Sequence, residues 1–434
     1  MEQFTIGLIG LGTVGTGVAR LLTEHADRIS RRAGKRLRWK WAVDRDSTKH
    51  RGVKLEGVQV TTDARRLIDD PEVDIVVELI GGIDPTCSIV LDCLKSGKHV
   101  VTANKALLAE RGQEIFAQAR ASGRAVAFEA SVAGGIPIIQ ALGVSLAANQ
   151  ISNLAAILNG TCNYILTKMT LEGLAYADAL AQAQEMGYAE ADPTLDVDGT
   201  DTAHKLAILA QIAFQSSVTT ADIPRQGIDR LQLADLKYAG ELGYAVKLLA
   251  LAKLTPAGLE LRVAPTLVKR GRPLAEVRGP YNAVRVVGDA VGDVFFYGRG
   301  AGMMPTASAI VGDIIDVVTG RAILTSNVLN LWPADAQQVQ RTPSREVRSR
   351  YYLRFTIADR PGVIAALAHC LGGHGISIAS VIQHEPGDDA PADSPVPLVI
   401  MTHWAVEAEL QAALGEIDRL DVVHAPSVCM GVED

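Results

Sequence analysis

The sequence predicts an α/β protein with a doubly wound parallel sheet first, an α+β domain second and a small βαββα module last. Over residues 1–133 short apolar runs alternate with helix-period segments, the pattern of a parallel sheet with helices on both faces. From residue 134 that alternation stops, and residues 134–300 mix one long apolar helix with strand-like runs. A polar stretch rich in Gln and Arg, residues 333–349, then sets off residues 350–434 as a separate module. A chain of 434 residues accommodates two or three such domains.

The elements follow in order. Residues 4–9 form a short apolar strand, Gly10-Leu11-Gly12-Thr13-Val14-Gly15 a glycine turn, and 18–22 the start of a helix. Strands at 38–43, 74–78, 99–102 and 125–129 come next, with helices at 85–96 and 106–122 between them. Beyond residue 134 we expect a helix at 137–146, an acidic loop, a helix at 201–213, and strands at 259–267 and 283–288. Residues 301–320 are Gly-rich and then helical, and 301–332 are expected to pack back on the first domain. In the last module 351–357, 376–384 and 398–402 read as strands, and 363–371 and 406–414 as helices. Either 422–424 or 428–432 supplies the final strand.

Composition narrows the function classes. A net charge of −7 and only a short basic run at 28–38 give no footprint for a nucleic acid. Five scattered cysteines, odd in number and without a C-x-x-C pair, argue against a disulfide framework or a zinc site and for a reducing cytoplasm. The longest apolar run, 136–148, is too short and polar to span a membrane, and the strand beginning within three residues leaves no room for a signal sequence.

Gly10, Gly12 and Gly15 fit the G-x-G-x-x-G pattern in a strand–turn–helix, where the helix N-terminus, with Thr13 and Val14, faces a pyrophosphate. Asp44 at the end of the second strand suits the ribose hydroxyls of NAD, while Arg45 beside it suits a 2′-phosphate, so NAD and NADP both remain open. Lys105 follows the carboxyl end of a parallel strand, where such sheets bind ligands, so it is either a nicotinamide-side lysine or an exposed turn residue. The turn 128–137 joins Glu129 to small residues whose carbonyls can converge on a hard cation, or it is simply structural.

The densest chemistry lies at 187–205, with five carboxylates and one lysine in nineteen residues. Asp201 and Lys205 stand four apart on one helix face, either an ordinary salt bridge or the grip on an amino-acid substrate. A calcium loop is excluded, because Lys205 falls where a bidentate Glu is required. Cys162 has no marked histidine partner and reads as a packed, inert thiol.

With these pieces in order the chain resembles the homoserine dehydrogenases that carry a C-terminal ACT domain. The likeness rests on 10–15, 102–105, 129–137, 159–166 and above all 187–205, with Gly300-Ala301-Gly302 and Pro305-Thr306-Ala307 closing the cofactor side. It implies a Rossmann domain at 1–133, a substrate and dimerisation domain at 134–300, and a ferredoxin-like ACT domain at 350–434. The implied reaction is the reversible NAD(P)H-dependent reduction of L-aspartate 4-semialdehyde to L-homoserine, on the route to threonine and methionine. By the same resemblance Lys205 is the acid/base, Lys105 polarises and positions the substrate, Glu190, Asp201 and, less directly, Asp196 contact its ammonium and hydroxyl end, and Gly302 joins the cofactor contacts. Glu129 with the carbonyls of Val132, Gly134 and Ile136 is implied to hold Na⁺.

The module at 350–434 resembles an ACT domain through 357–363 and 373–378. That implies pairing into a homodimer or homotetramer and feedback by threonine. Ser377 stands where many such domains carry Asn, and the insertion 385–397 is long, so a purely oligomerising role is the alternative. Two further readings stand beside the main one: a dehydrogenase of a related amino-acid aldehyde, and a regulatory protein that binds NAD(P) and an amino acid without turnover. The second would have no use for both lysines together with Glu190 and Asp201.

Overall fold

A computed structural model describes residues 2–46, 52–53, 55–329, 331–332, 339–384 and 394–433. Residues 333–338 of the expected linker and 385–393 of the expected insertion lie outside that set. The chain forms two compact units: Met1–Gly160 with Asp201–Ile223 and Pro280–Val339, and Thr161–Thr200 with Pro224–Gly279 and Gln340–Asp434.

The first unit contains a six-stranded parallel sheet in the spatial order Gln59–Thr61, Arg36–Val43, Gln3–Ile9, Ile75–Glu78, His99–Thr102, Val126–Ala127. Every residue of Ile75–Glu78 and His99–Thr102 is buried, which is why these strands read as unbroken apolar runs rather than alternating ones. The order reverses between Gln3–Ile9 and Ile75–Glu78. Ligands of such sheets bind at that crevice, beyond the carboxyl ends of the strands. The helix Met303–Val318 joins this core: Ala307, Ile310 and Ile314 are fully buried with Ile6, Leu8 and Val18. Each large aliphatic side chain so buried contributes about 1.5–3 kcal/mol. Close approach of this helix to Thr13–Glu24 needs Gly17, whose Cβ would lie 2.8 Å from Met303 Cγ.

Two expectations for this unit are corrected, and one strand was not foreseen. The strand expected at 125–129 stops at Ala127, and Glu129 opens a 3₁₀ turn, Glu129–Ser131. Its carboxylate accepts the N–H groups of Ile139 and Gln140, both at 2.9 Å, so it serves a helix start rather than a sheet. The long helix expected at 137–146 is a single turn, Ile138–Gln140, running into a widened π turn, Ala141–Ser145, that contains the weak helix former Gly143. The edge strand Gln59–Thr61 is too short to show a period. The unit also holds an antiparallel set in which Tyr281–Gly288 lies between Ile151–Ile157 and Gly292–Arg299.

In the second unit the strands run Tyr244–Thr255, Gly258–Lys269, Val423–Glu433, Tyr351–Ile357, Val396–Thr402, Ile378–Gln383. The helices Val363–Gly373 and Glu407–Ile417 pack their buried Leu367, Leu371, Leu410 and Ile417 with Leu353, Phe355 and Ile400 of the sheet. This is the βαββα module completed by one strand that spans both expected candidates for its last element. That strand also pairs in parallel with the hairpin strand Gly258–Lys269, Gly431–Glu433 against Thr266–Val268. Arg354, on Tyr351–Ile357, is buried against Asp235 of the helix Leu233–Glu241, with Nε to Oδ1 at 2.6 Å.

The free side of Gly258–Lys269 is closed piecewise. Leu259 exchanges backbone hydrogen bonds with Gln340 and Thr342, Val263 with Pro224 and Gln226, and Gly431–Glu433 takes the remainder.

Candidate active site

The glycine turn fits a dinucleotide through the distinct demands on each glycine. Gly10 has φ +99°, and a Cβ there would meet the Leu79 backbone at 2.8 Å. At Gly15 a Cβ would stand 2.0 Å from the Gly10 carbonyl oxygen, so only glycine lets helix and turn close up. Gly12 differs, since nothing lies within 4 Å of its Cβ position. It caps the helix Thr13–Glu24 without a side-chain hydrogen bond, and that helix has no acid in its first turn. Exposed Gly12 and Thr13, with half-buried Val14, thus present uncapped N–H groups and the positive end of a helix dipole, the requirements of a pyrophosphate. Asp44 is tied to this turn, its Oδ2 accepting the Leu11 N–H at 2.7 Å, and Arg45 beside it is exposed. Gly302, at φ +121°, caps the helix Met303–Val318.

Asp201 and Lys205 lie on the helix Thr200–Phe214, which starts after Gly199 at φ +86°. Its apolar face, Ala203, Leu206, Ala207 and Ala210, is fully buried. That packing fixes the opposite face, where Lys205 Nζ donates to Asp201 Oδ2 at 2.7 Å and to the Leu158 carbonyl at 2.8 Å. Lys105 opens the helix Lys105–Ser122, capped by Asn104, whose Oδ1 accepts the Leu107 N–H at 3.1 Å. Its Nζ stands 3.0 Å from Asp201 Oδ1, and Asn159 Nδ2 donates to Asp201 Oδ2 at 3.0 Å. Burial alone would raise the Asp201 carboxyl. The ammonium groups of Lys205 and Lys105, with hydrogen bonds from Lys205 and Asn159, outweigh it and hold the group below the usual carboxylate range.

Two lysines far apart in sequence are therefore aimed by one ionised carboxylate. Lys205 is nearly enclosed, with 12% of its side chain exposed, whereas Lys105 keeps 42%. The three of them belong to the first unit; Glu190 and Asp196 belong to the second. There Glu190 is exposed, with its carbonyl accepting from Gln184 Nε2 at 3.1 Å. Asp196 sits in the turn Thr194–Val197, its carbonyl facing Cys162 Sγ at 3.2 Å, so that thiol is buried in structural company.

Glu129 is buried among acids, close to Asp313, whose Oδ2 accepts the Glu129 N–H at 2.9 Å. Burial pushes Glu129 up to about 7 against the pull of the Gln140 and Ile139 N–H groups, and burial with the nearby Glu129 charge raises Asp313 well above the carboxylate range. Beside them the turn through Val132, Gly134 and Ile136 contains Ala133 at φ +49°, a left-handed conformation unusual for a residue with a Cβ. Among the described residues no group of three or more His, Cys, Asp and Glu is placed to hold a metal ion.

Sequence reading did not single out Glu78, Leu158 or Asn282. Asn282 Nδ2 donates at 3.0 Å to the Leu158 carbonyl that also holds Lys205. A main-chain carbonyl leaves no mark in a sequence, and the buried Glu78 closes an apolar strand where it reads as a boundary residue.

Comparison with known proteins agrees with this geometry. Residues 10–129 match the homoserine dehydrogenase NAD-binding domain, 137–315 the homoserine dehydrogenase family, and 351–421 the ACT domain. A homoserine dehydrogenase of Pseudomonas aeruginosa is 44% identical over 441 residues, covering 100% of this chain and 99% of the relative. The crystal structure of a homoserine dehydrogenase from Thiobacillus denitrificans is 44% identical with a TM-score of 0.92, over 100% of this chain and 99% of that one. A hyperthermophilic archaeal homoserine dehydrogenase mutant in complex with NADPH is 26% identical with a TM-score of 0.61, over 73% of this chain and 98% of that one. Among the described residues no helix is long and apolar enough to cross a membrane. A glycine turn shaped for a dinucleotide, two lysines on one buried carboxylate and full-length likeness at this level place the chain in the homoserine dehydrogenase family, as an NAD(P)-dependent oxidoreductase with a C-terminal ACT domain.

Proposed function

We propose that the chain reversibly reduces L-aspartate 4-semialdehyde to L-homoserine with NADPH or NADH, in the supply of threonine and methionine. The observation that carries this is the joint hold of Asp201 on Lys205 and Lys105. When bound, the dihydronicotinamide supplies the hydride to the aldehyde carbon, and the developing alkoxide must gain a proton. Lys205 gives it: two of its three N–H donors are held by Asp201 and Leu158, which leaves one for the substrate oxygen. Lys105 polarises the same oxygen and positions the substrate near the nicotinamide. By the family resemblance Glu190 and Asp201 take the substrate's ammonium and hydroxyl end, with Asp196 the weaker candidate for the same role. Gly10, Gly12, Thr13, Val14, Gly15 and Gly302 line the cofactor, Asp44 holds its adenosine ribose, and Arg45 makes room for a 2′-phosphate.

The division into 1–133 with 301–332, 134–300, a linker 333–349 and 350–434 stays our reading, and the family matches at 10–129, 137–315 and 351–421 support it. At the hinge between the first two, Na⁺ would sit on the carbonyls of Val132, Gly134 and Ile136 beside Glu129. The left-handed Ala133 turn supports this, and the backbone hydrogen bonds already on the Glu129 carboxylate leave carbonyl oxygens as the main donors. The ACT domains pair two or four copies and bind threonine as a feedback inhibitor.

The test is oxidation of NADPH by aspartate semialdehyde, comparing the intact chain with Lys205→Ala and repeating with threonine. A loss of about a hundredfold or more with NADPH binding retained supports Lys205 as the acid. Near-normal turnover in the variant moves the proton donor elsewhere, Lys105 first, and no response to threonine leaves the ACT pair an assembly device.

A further inference from the structure

We propose that Glu78 is a positioning residue for this reaction, holding the loop beside the glycine turn and the start of the Lys105 helix in one register through Thr102 and Asn104. The inference rests on the dehydrogenase reading above and adds residues to it.

Glu78 ends the strand Ile75–Glu78 at the point where the sheet order reverses, paired with Ile9 on one side and Thr102 on the other. It is fully buried. One carboxylate oxygen accepts the N–H groups of Ile80 and Gly81 at 2.8 and 3.1 Å. The other accepts the Thr102 hydroxyl at 2.6 Å. A buried carboxylate is costly unless its oxygens are occupied, and here both are.

The loop it holds turns through Gly81 and Gly82, at φ +71° and +74°. Thr86 pins the Gly81 carbonyl at 2.7 Å. Ile80 is 44% exposed, and its side chain lies 3.1 Å from the Cβ position of Gly10. An exposed aliphatic group beside the first fingerprint glycine is placed to lie against a bound dinucleotide.

The same carboxylate reaches the lysine. Thr102 Oγ1, while donating to Glu78, accepts the Asn104 N–H at 3.0 Å. Asn104 in turn donates through Nδ2 to the Gly82 carbonyl at 2.6 Å and caps the helix through Oδ1. Loop and lysine helix are thus cross-tied twice, by Glu78–Thr102 and by Asn104–Gly82. Lys105, the next residue, starts from a backbone that this network fixes.

Glu78→Gln, Thr102→Val, their double variant and Thr102→Ser as conservative rescue test this. NADPH binding is read by cofactor fluorescence without substrate, and kcat with aspartate semialdehyde at saturating NADPH. We expect the NADPH Kd to rise and kcat to fall by about tenfold in Glu78→Gln and in Thr102→Val, as for lost hydrogen bonds to a charged group. The double variant is expected to be no worse than the poorer single, because the two share one interaction. Thr102→Ser should restore both readouts. If Glu78→Gln does not fold, Thr102→Val and its Ser rescue decide alone.

Binding and turnover within twofold of wild type, or equal losses in Thr102→Ser and Thr102→Val, would overturn the proposal. Multiplying losses in the double variant would do the same. A wild-type chain that binds NADPH yet does not turn over aspartate semialdehyde would instead refute the substrate reading, and the NADPH titration would still decide the role of Glu78.

Discussion

Lys105 Nζ and Asp201 Oδ1 meet at 3.0 Å, from the first turns of two different helices, while the other oxygen of Asp201 holds Lys205 at 2.7 Å. Asp201→Asn keeps the shape and leaves two ammonium groups against a neutral amide. It is expected to lower kcat by about a hundredfold or more. Steady-state kinetics check this; a raised KM with unchanged kcat would assign Asp201 to substrate binding alone.

The three fingerprint glycines should fail in different ways. Gly12→Ala adds a methyl where the protein has nothing within 4 Å, so the melting temperature should hold while the NADPH Kd rises about tenfold or more. Gly15→Ala drives a Cβ into the Gly10 carbonyl at 2.0 Å and should cost about 1–3 kcal/mol of stability. Calorimetry beside an NADPH titration separates the two.

Lys247 is buried and donates to neutral groups, Asn163 Oδ1 at 3.2 Å and the Val277 carbonyl. Burial lowers it from 10.5 to about 8. The folded state therefore releases this proton more readily than the unfolded chain. Below pH 8 both states are protonated and the full cost of about 3 kcal/mol stands; it disappears as pH rises from about 8 to 10.5. Lys247→Met should be the more stable form at neutral pH, with its advantage shrinking across that window in urea unfolding. A constant difference from pH 7 to 10.5 would contradict the assignment.

Arg354 and Asp235 form a buried pair that Tyr352 joins at 3.2 Å. Arg354→Ala leaves Asp235 buried and unpaired and should cost about 3–5 kcal/mol. Arg354→Met with Asp235→Leu should recover only part of that, because Asp235 also accepts the Gln232 N–H and the buried Tyr352 hydroxyl, and losing those two bonds costs about 1–3 kcal/mol. Denaturant midpoints of the single and double variants decide it.

Much of the site was legible because its chemistry is local. The glycine spacing, Asp201 with Lys205 four residues on, and Lys105 after a buried strand each show in a short window. What escaped was non-local or carried by the main chain. The Leu158 carbonyl has no sequence signature, and Lys105 meets Asp201 only once the chain is folded. In the fold, buried parallel strands and ACT elements read clearly, whereas Glu129 broke its strand by turning to the N–H groups of Ile139 and Gln140, a partner choice that period and propensity do not encode. The shared edge of Gly258–Lys269 was illegible for the same reason.

That edge bears on how the protein is handled at the bench. Three separated stretches, around Pro224, Gln340 and Gly431, stitch one side of a single strand, so an insertion beside any one of them works against the pairing of the same strand. The ACT segment expressed alone would keep Gly431 paired with Tyr351 but leave the side of Gly431–Glu433 that meets Gly258–Lys269 as an open edge ready to recruit another chain.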